Sequence, residues 1–211
     1  MNYFLKLTYV LPVAALAAFS SCDDENDEPK IVQLEAVSVS DLNSVSTSKY
    51  TLFSFDENSV ISNTDSATAD WDIGFRGTTI ILNSGTSGPG NAAGQLVDGI
   101  FDELTEAPTD GYAVDGDTKA ITGSGGWYTY TGDAATGPKH AILPNAGKIL
   151  VLKTADGEYV KVEILSYYQG NPNTTTAEFA DLATRPASRY YTFRFIHQDD
   201  GSTNFETTID D

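Results

Sequence analysis

The sequence predicts a single, mainly β domain of antiparallel strands, with long loops and at most short helices. Three observations carry this. The 211-residue chain is rich in Thr, Ser, Gly, Val, Ile, Tyr and Phe, the mixture that suits strands and turns. Apolar residues alternate with polar ones in several short runs, the period of a half-buried strand. No segment sustains the 3.6-residue period of a long helix.

The elements follow in order. Lys49–Phe55 (KYTLFSF) is an aromatic strand. Trp71–Asn83 (WDIGFRGTTIILN) reads as a strand, an irregularity at Gly74 and Gly77, and a second strand. Leu96–Leu104 (LVDGIFDEL) and Thr176–Thr184 (TAEFADLAT) each suit a short helix. Lys148–Thr154 reaches Glu158–Leu165 across Ala155-Asp156-Gly157, and Asp-Gly between alternating apolar residues is a hairpin signal. In the second strand Tyr159, Lys161 and Glu163 alternate with Val160, Val162 and Ile164, which predicts one face in the core and one towards solvent. Tyr190–His197 (YYTFRFIH) is the last strong strand, and no internal repeat is visible.

The N-terminus reads differently. Lys6 is followed by an apolar run from Val10 to Phe19, a secretory signal too short to span a membrane. Phe19-Ser20-Ser21-Cys22 resembles the lipobox of bacterial lipoproteins, with Phe19 where such boxes usually carry Leu. That resemblance implies cleavage after residue 21 and lipid attachment at Cys22, the only cysteine, so no disulfide supports the fold. The expected organisation is a signal peptide at 1–21, an acidic tether at 22–30 and one β domain at 31–211. The tether, DDENDEPK after Cys22, is a solvated segment by composition, and it resembles the acidic stretch that directs some Gram-negative lipoproteins to the cell surface.

Charge and motifs exclude several classes. The formal net charge is −18, and removing the signal with Lys6 leaves 30 acids against 11 bases, near −19. Such a chain is expected to avoid nucleic acid and anionic membrane surfaces, meeting the membrane through its lipid anchor only. Gly85–Gly94 (GTSGPGNAAG) lacks the Gly-Lys-Ser/Thr ending of a phosphate loop and reads as a flexible surface loop. Asp115 and Asp117, like Asp199, Asp200 and Asn204, lack the full ligand ladder of a calcium loop. Two histidines and no Gly-x-Ser-x-Gly elbow specify no catalytic triad. No spacing singles out a carboxylate pair for glycoside cleavage. The expectation is a binding protein, not an enzyme.

The ordered series KYTLFSF, WDIGFRGTTIILNSGTSGPGNAAGQL, PTDGYAVD, SGGWYTY, KILVLKTADGEYVKVEILSYY and YYTFRF resembles the HmuY family, lipoproteins that capture haem at the cell surface. The resemblance implies an antiparallel β domain of HmuY type. It also implies haem or a related tetrapyrrole as ligand, hand-over to a TonB-dependent outer-membrane receptor, and a role in iron acquisition. A family member that has lost haem binding and serves as a protein- or glycan-interaction surface module is the alternative.

Haem requires an apolar slot and axial side chains such as His, Met, Cys or Tyr. The two histidines of the best-known member do not carry over. The stretch Ala113–Gly125 has no histidine, Gly132 stands at the other position, and the only methionine is Met1. His140, His197, Tyr128 and Tyr130 are therefore the candidate haem-binding residues. Tyr167 and Tyr168 could also meet a porphyrin or fill the core. Lys119, Lys139 and Lys148 are the bases near this region that could meet propionates.

Overall fold

Thirteen strands and one short helix form among the residues described by the computed structural model, which covers 30–209, with side chains from 34 to 206. The signal, Cys22 and nearly all of the tether lie outside the described residues. The strands are β1 (Lys30–Gln33), β2 (Val37–Asn43), β3 (Thr51–Ser54), β4 (Ser59–Ile61), β5 (Ile73–Arg76), β6 (Thr79–Leu82) and β7 (Ala93–Asp98). Then come β8 (Tyr128–Tyr130), β9 (Ile142–Pro144), β10 (Lys148–Lys153), β11 (Tyr159–Tyr168), α1 (Ala177–Ala180), β12 (Ser188–Gln198) and β13 (Glu206–Ile209).

The pairings of these strands are all antiparallel, in agreement with the expected fold class. A five-stranded sheet runs β2-β12-β11-β10-β7 and a four-stranded sheet β4-β3-β5-β6. Two ribbons, β8-β9 and β1-β13, complete the set. The expected hairpin forms, with Lys153 opposite Tyr159 and Leu150 opposite Val162. Gly157 takes φ +94° in its turn, a conformation glycine adopts without steric cost. Gly77 likewise sits in the turn between β5 and β6, at φ +56°.

The two large sheets pack face to face through aromatic rings. Phe53 and Phe55 from the β3 region and Phe75 from β5 meet Tyr191, Phe193 and Phe195 of β12 at centroid distances of 4.7–6.2 Å. Val160, Val162 and Ile164 join this layer, as the alternation predicts. The opposite face is covered over much of its length, with Leu165 left exposed. It packs under Phe101, Ala107 and Phe205 together with Ile149, Val151 and Ile196, so Lys161 is fully buried.

A buried ammonium needs acceptor partners to offset its lost hydration. The Lys161 Nζ donates to the carbonyls of Phe101 (2.7 Å) and Leu104 (2.8 Å) and sits 4.6 Å and 5.3 Å from the ring centres of Phe101 and Phe205. Burial lowers its pKa from the ordinary lysine value, opposed by the charge of Asp102.

Two further expectations are corrected. Leu96–Leu104 is not one helix. Leu96 and Val97 pair with Leu150 and Ile149 of β10, and only Phe101–Glu103 closes a 3-10 turn, so a ladder partner overrides local propensity. The Gly85–Gly94 loop is pinned down. Thr86 N–H reaches the Asp115 carbonyl (2.9 Å) and Gly90 N–H reaches Asn83 Oδ1 (2.9 Å). The expected short helix at Thr176–Thr184 forms over Ala177–Ala180, capped by the Thr176 hydroxyl.

Candidate functional site

The β8-β9 ribbon carries three of the predicted site residues. Its strands pair Tyr128 with Pro144 and Tyr130 with Ile142. Beyond them the chain closes a loop whose neck is made by Gly132 and His140. Thr131 N–H bonds the Ala141 carbonyl (3.0 Å) and His140 N–H bonds the Gly132 carbonyl (2.8 Å). Both neck residues are left-handed, at φ +53° and +51°. His140 thus stands directly across the ribbon from Gly132.

The imidazole is held at both ends. Its Nδ1 lies 2.7 Å from the Tyr130 hydroxyl and its Nε2 lies 3.2 Å from Asp133 Oδ1. The backbone behind it is clamped by Arg185, whose guanidinium donates to the carbonyls of Lys139 (2.8 Å), His140 (3.3 Å) and Phe179 (2.8 Å) and lies 5.0 Å from the Phe179 ring centre. Tyr130 is half exposed, so the hydroxyl–imidazole pair is presented to solvent on an anchored frame.

Tyr128 precedes Tyr130 by two residues and therefore lies on the same side of β8. It rests on buried Trp127 (4.6 Å) and borders a cleft of about 280 Å³ with Thr78, Ile80, Lys119 and Ile121. Beneath it, Tyr167, Tyr168 and Tyr191 are buried with Trp127. Desolvation pushes the Tyr167 hydroxyl up to about 12 and that of Tyr191 well above its ordinary value, as expected of core groups. Tyr167 and Tyr168 are thus packing residues. Among the three candidate bases, Lys119 lines the cleft, Lys139 is exposed beside His140, and Lys148 on β10 pairs with Asp98 at 2.5 Å.

His197 belongs to a separate group. On β12 it faces Val160 in register, and its Nε2 lies 2.7 Å from Glu158 Oε2 while Nδ1 lies 3.9 Å from Asp56. Neighbouring Asp72 is buried. Burial raises its carboxyl from 3.8 to about 6, against the N–H groups of Phe55 and Ala155 and the nearby His197, which lower it. The folded protein therefore keeps a proton that the unfolded chain releases near pH 4. This contribution is fully present below about pH 4 and is lost as pH rises through about 6, on the order of 3 kcal/mol. Asp72→Asn should remove it: urea denaturation at pH 4 and pH 7 should show the variant gaining on wild type by about that amount at the higher pH.

Three residues of the faint calcium patterns, Asp115, Asp200 and Asn204, are engaged with backbone. Buried Asp115 accepts from the N–H groups of Leu82 (3.0 Å) and Ala120 (2.9 Å). Asp200 accepts from Ser202 N–H (2.7 Å) and Asn204 from Glu206 N–H (2.9 Å), the work of turn residues.

Comparison with known proteins adds to this geometry. The sequence profile of the HmuY family, described as HmuY protein, matches residues 46–180. No curated protein sequence matches the chain. Among solved structures, the apo HmuY analogue of Tannerella forsythia has a TM-score of 0.51 at 12% identity, over 82% of this chain and 99% of that one. A Bacteroides vulgatus protein named as HmuY-like and haem-binding has a TM-score of 0.47 at 15% identity, over 80% and 97%. A Bacteroides fragilis protein named as a lipoprotein has a TM-score of 0.43 at 12% identity, over 76% and 87%. The first of these likenesses shows a shared fold.

Proposed function

We propose a function from the premise that this chain belongs to the HmuY family. It is a lipoprotein of a Gram-negative outer membrane, held by lipid on Cys22 through the tether at 22–30. Its β domain, 31–211, captures haem or a related tetrapyrrole at the cell surface without enzymatic chemistry. It passes the ligand to a TonB-dependent receptor.

The observation that carries the ligand assignment is the exposed Tyr130 hydroxyl bonded to His140 across from Gly132. A phenolic oxygen is an axial ligand for haem iron. His140 Nδ1, 2.7 Å from that hydroxyl, would take the proton that Tyr130 gave up if it held ferric iron, and Asp133, 3.2 Å from Nε2, would stabilise the resulting imidazolium. The cleft beside Tyr128, at about 280 Å³, falls just below the roughly 300–1,000 Å³ range of ligand pockets. Tyr128 and Lys119, which line it, would be the residues to contact the bound group. His197 has no part in this site.

Haemin titration followed at the Soret band is the test. Wild type should show a saturating ferric spectrum and Tyr130→Phe should lose it. His140→Ala should bind about 10–100-fold more weakly, as expected when a supporting partner of a ligand is removed. His197→Gln should bind as wild type. A flat response of wild type at micromolar haemin would overturn the assignment in favour of the protein- or glycan-binding module.

A further inference from the structure

We infer that Asp56, Glu158 and His197 form a binding site for a divalent cation of the zinc class, separate from the β8 ledge. One ligand atom from each residue lies within 4.8 Å of the other two. Three separate chain segments supply them. Asp56 follows β3 in a turn where Glu57 N–H bonds Ser54 Oγ (3.3 Å) and Asn58 N–H bonds the Phe55 carbonyl (3.3 Å). Glu158 closes the β10-β11 hairpin, its N–H on Thr154 Oγ1 (3.1 Å) and its carbonyl accepting from Thr154 N–H (2.8 Å). His197 is fixed in the β12 ladder.

The donor types select the ion. One imidazole nitrogen with two carboxylate oxygens suits zinc and its neighbours, whereas calcium and magnesium take oxygen alone. Two donors are pre-placed and largely shielded, with the His197 side chain 12% exposed and that of Glu158 21%. Asp56, 63% exposed, sits at the solvent side, where rotation of its short side chain closes the triad. It also lines an adjoining cavity of about 140 Å³ with Glu57, Asp70, Asp72 and Asp156, and no basic side chain lines that cavity. The cavity gives an ion an entry path and space for water in its open coordination position, and its carboxylates draw a cation in.

Because Asp56 comes from the four-stranded sheet and the other two residues from the five-stranded sheet, a bound ion would tie the two layers together. The inference does not rest on haem binding, since the two sites share no residue.

Zinc chloride titrated calorimetrically into the full-length protein, in a buffer free of chelators, should reveal one equivalent bound more tightly than any scattered carboxylate binding. His197→Gln and Glu158→Gln should each weaken that equivalent at least about tenfold. Zinc should raise the unfolding temperature of wild type and not of His197→Gln, and magnesium should not substitute. Asp56→Asn, altered at the most exposed ligand, gives the same affinity loss without touching a buried group. Tyr130→Phe should bind zinc as wild type, so failure here and failure at the haem site are told apart. Absence of a tight equivalent in wild type overturns the inference, as does unchanged zinc affinity in all three ligand variants.

Discussion

Lys161→Ala is expected to lower the free energy of unfolding by about 3 kcal/mol, read from urea denaturation. The side chain is fully buried, and its methylenes fill space beneath Phe101 and Phe205. Truncation leaves a cavity there, with a cost of about 2–5 kcal/mol for residues of this size. It also strips the donor from the carbonyls of Phe101 and Leu104. Removing a desolvated ammonium returns part of that loss. Lys161→Met separates the contributions: the stem is retained, the donor is not, and the expected loss falls to about 1–2 kcal/mol. Equal losses in both variants would show that packing contributes little at this position.

Gly85→Ala should cost on the order of 3 kcal/mol, a large effect for one methyl group. Gly85 holds φ +53°, where an alanine is strained by about 1–2 kcal/mol. An added Cβ would also lie 1.9 Å from the Asp115 carbonyl oxygen, so main chain must move. That carbonyl receives Thr86 N–H, and the Asp115 carboxylate holds Leu82 and Ala120 N–H. The disturbance therefore spreads from the loop into β6. Thermal unfolding of the variant should show a fall in midpoint, and a midpoint unchanged from wild type would mean that the loop gives way easily.

Much of the β architecture was readable because its cause is local. The β10-β11 hairpin follows from Asp156-Gly157 between alternating residues, and the layer of Phe53, Phe193 and Phe195 follows from strands rich in aromatic residues. What was not readable depends on distant segments. Nothing near Lys161 shows that Phe101 and Phe205, about 60 and 44 residues away in sequence, would cover its face. The helix expected at Leu96–Leu104 fails because β10 recruits its first half.

The candidate site divides in the same way. His140 was visible as a rare residue near Gly132, but its bond to Tyr130 depends on two left-handed residues at the loop neck. Glycine favours that conformation at position 132, while nothing in the sequence marks it at His140. Only the packing of the two sheets brings Asp56 to His197 and Glu158, residues that lie far apart along the chain.

The alternation in β11 has a further consequence for folding fidelity. A slip of one residue against β10 or β12 would exchange the strand's two faces. Lys161 and Glu163 would then enter the phenylalanine layer, where the carbonyls of Phe101 and Leu104 could not reach the ammonium. Two hydrophobic faces alone would discriminate weakly between the native pairing and its shifted neighbours. The buried Lys161 ammonium against Phe101 makes the shifted pairings costly, so it acts as a proofreading device for the central strand of the five-stranded sheet.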